Sequence, residues 1–145
     1  MISVATGGGY SVLRGWSDDG NVAYKHPCIT YTDSTGEVTI SQSGFYVVYS
    51  HLGFTWDSKT QNTMLGHEIR FERMGKQIKE PIAKDTRAIQ PNNTGSGPIP
   101  SYNSRTMATV HLVNGTKLTV HARPAALVMR GNFISSFGLF RLGAE

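Results

Sequence analysis

The chain has 145 residues, of which 39% are hydrophobic and 17% charged, with a formal net charge of +4 and a pI of about 9.4. That size fits one domain around one core, the 16 glycines favour short strands and turns over long helices, and no apolar run reaches the length of a membrane span. Cys28 stands alone, which excludes an intrachain disulfide, while the positive balance serves solubility and leaves an acidic partner open.

Met1 to Gly9 lacks the basic-then-apolar order of a secretion signal. Its Gly7-Gly8-Gly9 lacks the flanking strand, lysine and helix of a phosphate loop. Residues 1–9 are therefore predicted as a flexible lead-in and residues 10–145 as the domain. Tyr10 to Trp16 reads as a first short strand, closed by the turn-prone Ser17-Asp18-Asp19-Gly20-Asn21. That acidic turn lacks the spaced carboxylates of a calcium loop. Ile29–Thr32 and Glu37–Ile40 alternate around Asp33-Ser34-Thr35-Gly36 and read as a hairpin.

The stretch Gly44 to Phe54 is aromatic and β-branched, as strands favour. Phe45 to Tyr49 is apolar at every position, so both faces of this strand require cover. One face enters the chain's own core; a partner subunit is the simplest cover for the other. Thr55 to Thr63 reads as a surface loop holding Trp56. In Met64–Arg73, Ile69 and Phe71 face one way and Glu68, Arg70 and Glu72 the other, predicting a half-exposed strand. Met74-Gly75-Lys76-Gln77 reads as a tight turn, and Ile78–Ile89, interrupted by Pro81, as an edge strand. Gln90 to Ser104 is rich in Pro, Asn, Gly and Ser and predicts a long loop. Thr106–Val113 and Lys117–Ala122 flank Asn114-Gly115, a strong hairpin signal. Pro124 to Ser135 is a further loop, and Ser136–Leu142 the last strand. Eight to ten short strands at these spacings predict an all-β, two-sheet sandwich of the jelly-roll kind.

Residues that could carry chemistry do not converge. His67-Glu68 fails as a metalloprotease motif because Phe71 stands where a second histidine is required. His51, His67, His111 and His121 fall on predicted strands, where some jelly rolls gather a metal, but no His-x-His pair accompanies them. Cys28 has no CxxC context. No metal, cofactor or catalytic residue is assigned, and no enzyme activity is expected. Arg70, Arg73, Lys76, Lys79 and Lys84 are interleaved with Glu68, Glu72, Glu80 and Asp85 and lack an aromatic stacking series, which argues against nucleic acid. A sulfated glycan could use the basic lean. Asn92-Asn93-Thr94 and Asn114-Gly115-Thr116 match the glycosylation acceptor pattern, which suits a secreted protein and makes Asn92 and Asn114 candidate sites.

Gly44-Phe45-Tyr46-Val47-Val48-Tyr49-Ser50-His51-Leu52-Gly53-Phe54 resembles the central strand of the tumour necrosis factor ligand family, with its glycine-aromatic opening and tyrosine-serine step. Ser136-Phe137-Gly138-Leu139-Phe140-Arg141-Leu142 resembles that family's C-terminal strand, and Met107 to Ala122 the hairpin between. The resemblance spans roughly Val12 to Leu142, and the closing Arg141-Leu142-Gly143-Ala144-Glu145 is similar to the ectodysplasin branch. Two departures accompany it. Cys28 has no partner for the upper-loop disulfide of many members, and Arg105-Thr106-Met107-Ala108 lacks the tyrosine-x-glycine-glycine pattern. Both fit a divergent, invertebrate-like member.

The resemblance implies a jelly-roll homotrimer acting as an extracellular signalling ligand for cysteine-rich receptors, secreted or shed from a type II membrane precursor. Membrane attachment would need an anchor that this chain does not contain. Strand alternation puts Phe45, Val47, Tyr49 and His51 on one face, and Ser136, Gly138, Phe140 and Leu142 on one face. The resemblance makes these the axial faces, with Val47, Tyr49, His51, Phe140 and Leu142 as trimer contacts and Tyr46, Val48, Phe137 and Leu139 in the core. It also implies receptor contact at the Met74–Gln77 turn, through Met74 and Lys76, and at Trp56. A complement-type globular head is the alternative, followed by a lectin or metal-dependent jelly-roll enzyme.

Overall fold

The structure is a computed structural model that describes residues 2–5, 9–16, 28–56, 63–73, 79–89, 101–129 and 135–143. Among them are ten strands and one three-residue 3-10 turn at Ala125–Leu127. The strands are β1 (Ile2–Ala5), β2 (Ser11–Arg14), β3 (Ile29–Thr32), β4 (Glu37–Ile40), β5 (Gly44–Thr55), β6 (Thr63–Glu72), β7 (Glu80–Ile89), β8 (Ser101–Leu112), β9 (Lys117–Arg123) and β10 (Ser136–Gly143).

Two antiparallel sheets result, as expected for a jelly roll. β9 is the hub of the seven-stranded sheet. β6 runs along one of its edges, while β2 and β4 share the other, β2 opposite Val120 to Ala122 and β4 opposite Lys117 and Leu118. β1, β3 and β7 extend that sheet beyond β2, β4 and β6. The smaller sheet has the order β10-β5-β8, with the doubly apolar β5 at its centre. Pro81 lies in β7, which among the described residues pairs only with β6, and the register shifts there between Ile69 and Arg70. An edge strand with an irregularity tolerates a residue that cannot donate to the ladder.

Between the sheets lie two apolar clusters. Leu13, Leu52, Phe54, Leu65, Ile89, Val120, Ala122 and Val128 form one. Cys28, Val38, Ile40, Tyr46, Val48, Ile69, Leu112 and Leu118 form the other. Full burial of a large aliphatic or aromatic side chain contributes about 1.5–3 kcal/mol, so these clusters are what hold the sandwich shut. Trp56 is half-buried against the first cluster, and Phe137 and Leu139 pack on the second.

Four expectations change. Ile2–Ala5 is a strand paired with Ser11–Arg14, where a flexible lead-in was expected; its Ile-Ser-Val-Ala alternation suits an added sheet strand. β8 begins at Ser101, inside the expected loop, because it pairs with β5 over that strand's full twelve residues. Asn114-Gly115 does not close a hairpin, since β8 belongs to the small sheet and β9 to the large one. The Gly115 N–H instead donates to the Ile40 carbonyl at 2.8 Å and the Asn114 N–H to Ser43 Oγ at 2.8 Å, so the turn is docked on the β4–β5 corner and carries the chain between sheets. Finally, the outer face of β6 is covered only at its middle: Gly66 and Glu68 are buried, and a Cβ at Gly66 would run into the Tyr10 ring, while Met64 is exposed and Arg70 and Glu72 are half-buried.

Candidate functional site

β5 alternates strictly. Tyr46, Val48, Ser50, Leu52 and Phe54 point into the sandwich, and Phe45, Val47, Tyr49 and His51 point out of it. Register carries the pattern across the sheet. Tyr49 lies between Gly138 and Met107, Val47 between Phe140 and Thr109, and His51 between Ser136 and Arg105. The outcome is an open face with Phe45, Tyr49, Met107, Phe140 and Leu142 exposed by 41% to 69%, five of the seven large apolar side chains exposed among the described residues. Concentration of that much apolar surface on one sheet face marks an interaction surface.

Local packing holds the face in shape. The Tyr49 ring lies over Gly138, where any Cβ would collide with it. Phe45 meets the His111 ring edge-on, with centroids 5.1 Å apart. A Cβ at Gly44 would stand 2.7 Å from both Arg141 Nε and the Gly143 carbonyl oxygen, so the glycine that opens β5 makes room for the end of β10. Arg141 turns away from the open face and donates to the Ser43 carbonyl at 2.9 Å.

Beneath this face, between the two clusters, a polar seam joins the sheets. His67 on β6 contacts Ser104 Oγ on β8 through Nδ1 and Ser50 Oγ on β5 through Nε2, both at 2.9 Å. Ser104 donates to Asp85 Oδ2 at 2.6 Å, Tyr102 donates to the same oxygen at 2.7 Å, and Ser50 donates to the Ser136 carbonyl at 3.0 Å. With both hydroxyl protons so used, a neutral imidazole supplies one of its two contacts and an imidazolium would supply both. Burial nevertheless dominates: desolvation pulls the His67 pKa down to about 4, against the opposing pull of Asp85. Serine, histidine and aspartate together invite comparison with a hydrolase relay, but Ser50 is 2% exposed and its proton goes to a backbone carbonyl. The seam is a clamp between sheets.

The far side of the large sheet carries a second polar layer. Arg70 Nε lies 2.6 Å from Glu68 Oε2 and its guanidinium 4.9 Å from the Tyr10 ring centroid. His121 Nε2 is 3.0 Å from Thr119 Oγ1, and burial, then Arg70 and Lys79, push its pKa down to about 3.

A family model for the TNF (tumour necrosis factor) family matches residues 14–142, nearly the whole of the two-sheet domain. The chain belongs to the TNF family. No individual curated protein matches it. Of the residues expected at contacts in this TNF-family chain, Val47, Tyr49, His51 and Phe140 come together on the open face, and Leu142 is exposed beside them at the register shift that follows Arg141. Trp56 lies apart from them, at the end of β5, half-buried. Asn114 is exposed in the β8–β9 turn, whereas Thr116 of the same triplet is buried. Met74, Lys76 and Asn92 lie outside the described residues. The β8 contribution was missed. Arg105 and Met107, noted only as a departure from the family pattern, point out of the open face, and Thr106 and Ala108 point inward. Alternation along β8 itself puts Arg105 and Met107 on one face, but that this face joins β5's follows only from the β5–β8 pairing.

Proposed function

We propose that the chain is a trimeric cytokine of the TNF family that binds and clusters cysteine-rich cell-surface receptors, acting outside the cell as a secreted ligand or one shed from a type II membrane precursor. Family membership supports the class of activity. One observation carries the assembly: the apolar open face of β5, β8 and β10, whose burial against second and third copies removes it from water at about 25 cal/mol per Å². Val47, Tyr49, His51, Phe140 and Leu142 are the proposed subunit contacts, joined by Met107. The functional unit is the one jelly-roll domain of residues 10–145 with the Ile2–Ala5 strand added to its sheet. Receptors contact the Met74–Gln77 turn through Met74 and Lys76 and the end of β5 at Trp56, and Asn92 and Asn114 are glycan acceptors.

Sedimentation at micromolar concentration is expected to give three chains per particle; a stable monomer sinks the assembly. Receptor binding is tested by changing Met74 and Lys76 together to alanine. The trimer and its Tm are expected to persist while affinity for receptor ectodomains captured by the unmodified trimer falls at least about tenfold, the loss of about 1.4 kcal/mol. Unchanged affinity moves the contact away from that turn.

A further inference from the structure

None of the side chains that point out of β5, β8 and β10 is an aspartate or a glutamate. The face's permanent cation is Arg105, which is exposed, stands opposite His51 in the β5–β8 register, and has neither an ion-pair nor a hydrogen-bond partner among the described residues. His51 Nε2 is shut from solvent without a hydrogen-bond partner. The two residues border a depression of about 450 Å³ lined by Tyr49, Ser50, His51, Arg105, Thr106 and Met107. It opens at the polar end of the otherwise apolar face.

A closed threefold assembly brings each residue of its contact face round the axis three times. Packing three acid-free faces together therefore gathers three guanidinium groups in a region that loses water, with no carboxylate of those faces to balance them. Charges removed from water require a partner of opposite sign. A guanidinium presents its donors as a planar fork suited to the oxygens of a phosphate or sulfate, and a tetrahedral oxyanion has the threefold axis that the assembly has.

We propose that the Ser136–His51–Arg105 rows of three copies close around one small inorganic oxyanion on the assembly's threefold axis, held by the three Arg105 guanidinium groups, each of which borders its own copy's depression beside His51. The site rests on the trimeric reading, because one copy supplies a third of it. Bound there, the ion links subunits and stabilises the trimer by mass action.

The test is calorimetric titration of the purified trimer with inorganic phosphate in a gluconate buffer of constant ionic strength, with a parallel chloride titration and subunit exchange followed in each buffer. Expected are one phosphate per three chains, subunit exchange slowed about tenfold by millimolar phosphate, weaker binding of chloride, and loss of the phosphate response in Arg105→Gln with the trimer retained. A trimer whose exchange is the same in gluconate and phosphate overturns the site while leaving the assembly standing. A response preserved in Arg105→Gln, or one phosphate per chain, also overturns it. A monomer in every buffer overturns the assembly and the site together.

Discussion

On the outer side of the larger sheet, Glu68, Thr119 and His121 point away from the core and yet are buried, with Tyr10 lying over Gly66 beside them and Arg70 bridging Glu68 and the Tyr10 ring. On the outer side of the smaller sheet, Phe45, Tyr49, Met107, Phe140 and Leu142 point away from the core and remain uncovered. Polar groups taken out of water need specific partners at hydrogen-bond distance, so the first face has to be completed by the chain itself, as it is for Glu68 and for His121 Nε2 though not for His121 Nδ1. Apolar side chains need only a surface of fitting shape, so the second face can wait for another copy. The contrast separates a wall of the fold from a surface for assembly.

Three substitutions bear on that contrast. The largest effect is expected from Tyr49→Asp, which puts a charge at the middle of the open face. It should leave the monomer folded, because Tyr49 points away from the core, and weaken assembly by several kcal/mol, about the cost of burying an unpaired charge. Sedimentation reads the result, and an intact trimer would mean that the contact lies on another face.

Next comes the seam that backs the open face. His67 has a pKa of about 4 in the folded chain, below the ordinary value of 6.5. Between those values the unfolded chain holds the extra proton, so stability is fully present above about pH 6.5 and falls as pH drops toward 4. The shift corresponds to about 3 kcal/mol. His121, with a pKa of about 3, adds a loss of the same sign on the other face. Urea unfolding at one protein concentration and several pH values should show this slope, and His67→Gln should make it shallower while leaving the part due to His121, since an amide keeps one donor and one acceptor without titrating. An unchanged slope in that variant would show that His67 does not hold its proton off in the folded state.

The smallest of the three effects belongs to the wall. Arg70→Ala leaves Glu68 buried without its guanidinium and should cost about 1–3 kcal/mol in folding, with the oligomeric state unchanged. Thermal unfolding and sedimentation together check it. A change in assembly from this substitution would erase the distinction between the two faces.

Alternation in Gly44–Phe54 and Ser136–Arg141 was enough to say which side chains share a face, up to the register shift that follows Arg141, and Tyr46 and Val48 point inward while Phe45, Val47 and Tyr49 point outward as that period requires. The reason is local: successive side chains of an extended backbone alternate whatever the strand pairs with. The same local reading carried the edge position of the Pro81 strand and the Ile29–Ile40 hairpin. Sheet membership was not local. Asn114-Gly115 has the composition of a hairpin turn, yet β8 pairs with β5 and β9 with β2, β4 and β6, partners far along the chain. The Ser- and Asn-rich start of β8 became strand because β5 extends alongside it and because Tyr102 and Ser104 reach Asp85 on β7. Likewise, the sequence by itself determined that His67 and Glu68 occupy opposite faces of one strand, but only the tertiary structure decided that both are buried. Burial depends on what the rest of the chain lays over a residue, His67 meeting Ser50 and Ser104 from the other sheet and Glu68 meeting Arg70 beside Tyr10, and no period along one strand encodes a cover that comes from another.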